Sequence, residues 1–164
     1  MKFVLIDRIT KLTPGEEIVG TKSLSLAEEY LADHFPGFPV IPGVLMIEAM
    51  TQASAWLIRV TDDFSHSLVT LKEVKNVRYG RFLSPGETME VTAKIVEHGE
   101  TETRIKAQGV VDGVTNVKAQ LTLTHANLTD QNPVLAKTDQ HLIENQRKLL
   151  AILCPALLQE SSSQ

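Results

Sequence analysis

Apolar residues along this chain follow two different periods. From Gly43 to Ile58 they fall on nearly every side of a helical wheel, interrupted by a single ionisable residue, Glu48. A helix that is apolar all round is enclosed by other elements. Pro42 suits its first turn, where a missing N–H costs little, and Asp62-Asp63 end it. From Leu68 to Ala126 the period drops to two, the signature of strands. Met89, Val91, Ala93 and Ile95 share one face, as do Val117, Ala119, Leu121 and Leu123. Thr103 to Val111 alternates less cleanly. Leu68 to Leu71 with Val74 to Phe82 predicts one long or bulged strand, with Gly80 at the bulge. Turns are expected at Pro85-Gly86, at His98-Gly99-Glu100 and at Asp112-Gly113, a strong hairpin signal. Upstream, Pro14-Gly15 turns into a strand over residues 17–25, and residues 26–33 predict a short helical turn.

One enclosed helix and a run of antiparallel strands imply an α+β architecture, a curved sheet wrapped around a long central helix. Residues 1–126 form this domain. Residues 127–138 are polar, contain Asn132-Pro133, and read as a linker. Residues 139–164 form a C-terminal helical tail. Its helix spans 139–154, with Leu142, Leu149, Leu150 and Leu153 on one stripe and Pro155 as its stop. The tail is expected to pack on the core or on a neighbouring subunit.

Composition narrows the setting. The chain has 164 residues, 43% hydrophobic and 22% charged, with a formal net charge of −4. That balance argues against non-specific nucleic-acid binding. Cys154 is the only cysteine, so no intrachain disulfide is possible, and a buried free thiol is expected. The first ten residues hold Asp7 and Arg8 and no long apolar run, unlike a signal peptide. No stretch nears the roughly 20 apolar residues a membrane span needs. The expected setting is cytoplasmic, without membrane or nucleic-acid partners.

Chemistry concentrates between His34 and Ala49. Pro36, Gly37, Pro39, Pro42 and Gly43 stiffen a loop that joins His34 to the helix bearing Glu48. An imidazole is poised near neutral pH, and an apolar setting favours the neutral form of a carboxyl group. A base and an acid on stiff elements suit proton transfer. Gln52 and Thr51, four and three residues after Glu48, are placed to hydrogen-bond it. The Gly43 N–H, at a helix N-terminus, suits an oxygen on which negative charge builds.

The run His34-Phe35-Pro36-Gly37-Phe38-Pro39-Val40-Ile41-Pro42-Gly43-Val44-Leu45-Met46-Ile47-Glu48-Ala49 closely resembles the signature of the β-hydroxyacyl-[acyl carrier protein] dehydratases of the FabZ type. Lys75, Arg78, Tyr79 and Arg81, followed by Pro85-Gly86-Glu87, resemble a second block of that family. The resemblance covers roughly residues 3 to 125. It implies a hot-dog fold and dehydration of 3-hydroxyacyl chains on acyl carrier protein in fatty-acid elongation, with no cofactor. It implies that His34 is the base, that Glu48 of a dimer partner is the acid, and that Gly43 binds the thioester carbonyl. Phe35, Pro42 and Gln52 complete the expected substrate site. It also implies a homodimer or trimer of dimers that shares its sites between subunits. The related family that also isomerises the double bond usually carries Asp at the Glu48 position. Asp33 and Phe82 depart from the pattern, standing where the family commonly has glycine and proline, and the tail after Ala126 has no counterpart.

Lys72, Lys75, Arg78 and Arg81 form a basic run in an acidic chain. Such runs are commonly a solvated strand face; with the resemblance, Lys75, Arg78 and Arg81 are expected to dock the acidic carrier protein. His66, His98, His125 and His141 show no metal-ligand spacing, so no metal is expected. The rival readings are a hot-dog thioesterase, and a non-catalytic or secondary-pathway acyl-carrier partner.

Overall fold

The computed structural model describes residues 3–156. Six antiparallel strands form one sheet: β1 (Arg8–Thr13), β2 (Glu17–Ser23), β3 (Leu68–Tyr79), β4 (Thr88–His98), β5 (Glu102–Val111) and β6 (Val114–Ala126), in spatial order β1-β2-β4-β5-β6-β3. The sequence reading missed β1. It pairs with β2 across the Pro14-Gly15 turn, with a register break between Ile9 and Lys11 that blurs its alternation. A short helix α1 (Tyr30–Asp33) precedes the Pro/Gly loop, and the long helix α2 (Gly43–Thr61) follows it.

Helix α2 lies against β4, β2, β5, β3 and β6. Met50, Leu57 and Ile58 are fully buried on it, facing Met89, Val91, Leu121 and Leu123 of the sheet. Each such side chain contributes about 1.5–3 kcal/mol through burial. The helix runs past Ile58 to Thr61 and so takes in a second ionisable residue, Arg59, over the Trp56 ring at 5.1 Å. Burial pulls the Arg59 guanidinium down to about 10. The enclosure is incomplete at the other end, where Val44 is 69% exposed.

The expected faces of β4 and β6 are the buried ones. Strand β5 alternates as well: Thr103, Ile105, Ala107 and Gly109 point inward, and buried polar Thr103 is what hid the pattern. Strand β3 is continuous, and its irregularities differ from the expected one. They fall between Leu71 and Glu73 and between Lys75 and Arg78, with Asn76 at φ 55°. Gly80 lies just after the strand. A Cβ there would meet the Thr115 carbonyl oxygen at 2.7 Å, so glycine permits close backbone approach rather than a bulge.

The expected linker is ordered by its own hydrogen bonds. It forms 3-10 turns at Leu128–Asp130 and Pro133–Leu135, and the tail helix α3 (Ala136–Leu153) starts sooner than the pattern predicts. Asp139 is the anchor. Its carboxylate accepts the Ser67 hydroxyl and the N–H groups of Leu128 (3.0 Å) and Thr129 (2.9 Å). Burial pushes this carboxyl up, but those donors prevail and hold it at about 2. Leu150, Leu153 and the free thiol of Cys154 are buried in the core. The end of the expected tail, residues 157–164, lies outside the described residues. Among the described residues no helix is long and apolar enough to cross a membrane.

Candidate active site

His34 directly follows α1, and its N–H donates to the Tyr30 carbonyl at 3.1 Å. Its ring packs on that of Phe35, with centroids 4.2 Å apart. Phe35 sits at φ 49°, a strained conformation for a bulky residue, stabilised by the Phe38 N–H donating to its carbonyl at 2.7 Å. The loop is pinned again where the Ile41 N–H reaches the Leu83 carbonyl at 3.0 Å. These contacts fix the imidazole at the mouth of the Pro/Gly loop. The loop's remaining aromatics are exposed, and Phe38 meets Phe82 edge-on at 5.6 Å.

Pro42 turns the chain into α2, and its carbonyl accepts from Leu45 and Met46. The N–H groups of Gly43 and Val44 make no hydrogen bond among the described residues. They form a free donor pair at the positive end of a five-turn helix. A Cβ at Gly43 would stand 2.9 Å from the Tyr79 ring, so a side chain there would have to displace that ring. Partial burial holds the Tyr79 phenol above its usual value.

Glu48 lies on the next turn and is half-buried within one chain, less enclosed than its apolar neighbours imply. Gln52 donates to its Oε1 at 2.9 Å. Thr51 does not join in; its hydroxyl donates to the Ile47 carbonyl at 3.0 Å. Among the described residues, His34 and Glu48 share no hydrogen bond or ion pair within one chain. The structure thus places the His34 imidazole, the Glu48 carboxyl and the free donor pair on adjoining elements, without a direct bond between imidazole and carboxyl within one chain.

The residues of the basic run differ in their partners. Lys72 pairs with Glu102, and Lys75 with Glu73 at 2.9 Å. Arg81 is held by Glu87, by Asp112 at 3.4 Å and by the Val111 carbonyl. Arg78 instead faces a depression of about 700 Å³ on the outer face of the sheet, shared with Lys94, Lys106 and Lys118. The sequence reading missed those three lysines. They lie on three strands, so only sheet register brings them together.

A family model described as the FabA-like domain matches residues 1–120. A 3-hydroxyacyl-[acyl-carrier-protein] dehydratase FabZ of Nitratidesulfovibrio vulgaris is 32% identical over 130 residues, covering 78% of this chain and 84% of that one. The chain belongs to the FabZ-type dehydratase family. The FabZ of Syntrophomonas wolfei is 45% identical over 92 residues, 56% of this chain and 64% of its own length. Among solved structures, the dehydratase heterocomplex ApeI:P of Xenorhabdus doucetiae superposes with a TM-score of 0.65 over 81% of this chain and 90% of the other. At 18% identity that likeness establishes the fold, which is the hot-dog fold of FabZ-type chains.

Proposed function

We propose that this protein removes water from 3-hydroxyacyl chains carried on acyl carrier protein, giving trans-2-enoyl thioesters in fatty-acid elongation. The observation that carries the reading is the helix start: unbonded Gly43 and Val44 N–H groups where the loop bearing His34 enters α2, with a tethered carboxyl one turn on. The thioester carbonyl accepts from the Gly43 N–H, and negative charge growing on its oxygen is stabilised there. Neutral His34 takes the α-proton. Glu48 of the partner subunit gives a proton to the departing hydroxyl, and the C–O bond breaks to release water. The proton on His34 then returns to the carboxylate through solvent, which restores both groups. Phe35 and Pro42 shape the entrance, and Gln52 positions Glu48.

Three features support a shared site. His34 and Glu48 are not bonded within one chain. Val44, Phe35 and Phe38 are exposed beside them, an apolar patch suited to a second copy. Strand β3 is an edge strand, with its outer backbone groups free to pair. For carrier docking, Arg78 is the part of the expected patch with no ion pair among the described residues; Lys75 is paired with its neighbour Glu73, and the ion pairs of Arg81 tie it to the fold.

The deciding assay offers a 3-hydroxyacyl carrier-protein substrate and follows enoyl absorbance and free thiol together. Enoyl product without thiol is expected. Thiol release without enoyl product would establish a thioesterase instead.

A further inference from the structure

At the end of α2 remote from Gly43, four titratable side chains converge from three parts of the sequence. Asp62 caps the helix, His66 lies in the loop before β3, His98 ends β4 and His125 lies near the end of β6. With about 1.5 Å of rise per residue, this end of the helix is roughly 20 Å from Glu48. Asp62 and His66 are four residues apart, but His98 and His125 reach the group from β4 and β6, so sequence spacing shows only half of it.

The hydrogen bonds among them have one consistent polarity when the imidazoles are neutral. A carboxylate only accepts, so His98 Nε2, 2.7 Å from Asp62 Oδ1, carries the proton. His98 Nδ1 is then a lone pair and accepts the Thr103 hydroxyl at 2.7 Å. The Thr103 oxygen in turn accepts from His125 Nε2 at 3.1 Å. His125 Nδ1 is left as a bare lone pair. It is buried without a hydrogen-bond partner, and so is Asp62 Oδ2. The His125 side chain is only 1% exposed. Leaving two buried acceptors face to face is costly.

The spacing of these atoms shows what would relieve that cost. Asp62 Oδ2 lies 3.9 Å from His125 Nδ1 and 3.5 Å from His66 Nδ1. Both separations are too long for good hydrogen bonds. They are close to the ~3.4 Å between two ligands of a tetrahedral ion bound at about 2.0–2.1 Å. One ligand atom from each of Asp62, His66 and His125 falls within 4.8 Å of the others.

We propose that Asp62, His66 and His125 bind one divalent late-transition-metal ion, zinc above all, through Asp62 Oδ2, His66 Nδ1 and His125 Nδ1. Two imidazoles and a carboxylate make a donor set of borderline softness that suits zinc over calcium or magnesium. The negative end of the α2 dipole adds to the attraction. The relay through Thr103 and His98 fixes the ligating face of His125 and orients the Asp62 carboxylate, as outer partners do in metal sites. Ser65 Oγ, 3.1 Å from His66 Nδ1, is a rotor and can turn aside. A solvent-open depression lined by His66, His98, Gly99 and Glu100 provides a way in and room for water as fourth ligand. The bound ion ties the helix end, the following loop and β6 together. The proposal stands independently of the dehydratase reading.

The test uses the full chain, stripped with chelator and titrated with zinc chloride by calorimetry. One ion per chain is expected, and at free zinc a hundredfold above Kd the thermal midpoint should rise by about 5–10 °C. His66 is half-exposed, so His66→Ala should fold normally and bind zinc about a hundredfold more weakly. Thr103→Val, which removes only the relay hydroxyl, should weaken binding by about 10–100-fold. His34→Ala should bind as the parent does. The proposal is overturned by absence of saturable binding, by affinity unchanged in His66→Ala, or by binding lost in His34→Ala, which would put the ion at the dehydratase site.

Discussion

Gln52 holds Glu48 to the start of the chain. Its Nε2 donates to Glu48 Oε1 at 2.9 Å and to the Phe3 carbonyl at 3.0 Å, while its Oε1 accepts the Leu5 N–H at 2.9 Å. The side-chain amide therefore spends both its ends, and the candidate acid is positioned by a segment more than forty residues away. Replacing Gln52 with Leu orphans the buried Leu5 N–H and frees the Glu48 carboxyl. Stability should fall by about 1–3 kcal/mol, and kcat should fall by more than KM changes. Thermal melts and steady-state kinetics on one preparation check both. Gln52→Glu, which cannot donate to the carboxylate, should impair turnover as severely.

The proposed roles of the reacting pair separate by mixing. His34→Ala and Glu48→Gln should each lose about two to four orders of magnitude in kcat, the usual scale for a general acid or base. Refolding the two inactive chains together should restore part of the parent activity, because one site in a mixed dimer keeps both groups. Light scattering should show a dimer or a multiple of it. A fully active monomer would refute the shared site.

Gly43 tests the donor pair. An added methyl would stand 2.9 Å from the Tyr79 ring. Gly43→Ala should lower kcat by about a hundredfold, the scale of losing one oxyanion donor. Adding Tyr79→Ser should relieve the crowding and restore the melting midpoint without restoring kcat. Recovery of both would mean that the ring clash, rather than blocked access to the N–H, caused the loss.

The basic residues should divide by function. Arg78→Glu should raise KM for the carrier-bound substrate several-fold and leave a short thiol mimic almost untouched. Arg81→Met breaks the pairs with Glu87 and Asp112. It should cost about 0.5–1 kcal/mol in stability and alter both substrates alike. Salt titration of KM gives a second reading, since docking weakens with ionic strength and the fold hardly changes.

The tail should respond to acid through Asp139. Its folded-state value of about 2 lies below the ordinary carboxylate value, so its contribution is full above about pH 4 and is lost as pH falls toward 2. Asp139→Asn removes this dependence. The parent should lose more of its urea midpoint between pH 4.5 and 2.5 than the variant, while the variant is the weaker of the two at pH 7.

Much of this was legible from local chemistry. A stiff Pro/Gly loop running into an apolar helix marks His34, Gly43 and Glu48, and inward-facing Val117 to Leu123 mark a sheet face. What stayed hidden depends on distance through space. The two breaks in β3 arise from how it meets β6, so Gly80 was a misleading local cue. Asp139 looks like any acidic residue on an amphipathic helix until Ser67 and the Leu128 and Thr129 amides are brought to it. Lys94, Lys106 and Lys118 become neighbours of Arg78 only once three strands align. The stiff, sequence-local half of the site can be read early; the half assembled across the sheet cannot.

The position of β3 at the border of the sheet has a cellular consequence. Twelve residues of strand, with Leu71 partly exposed, form a template on which any other extended chain can grow. The two irregularities and the charges of Lys72, Glu73, Lys75 and Arg78 discourage such growth. In the proposed dimer, a matching second copy both completes the site and occupies that template. Substitutions that weaken the pairing of two β3 strands should therefore show first as insoluble protein and proteolytic clearance, at expression levels where the surviving soluble enzyme still turns over normally.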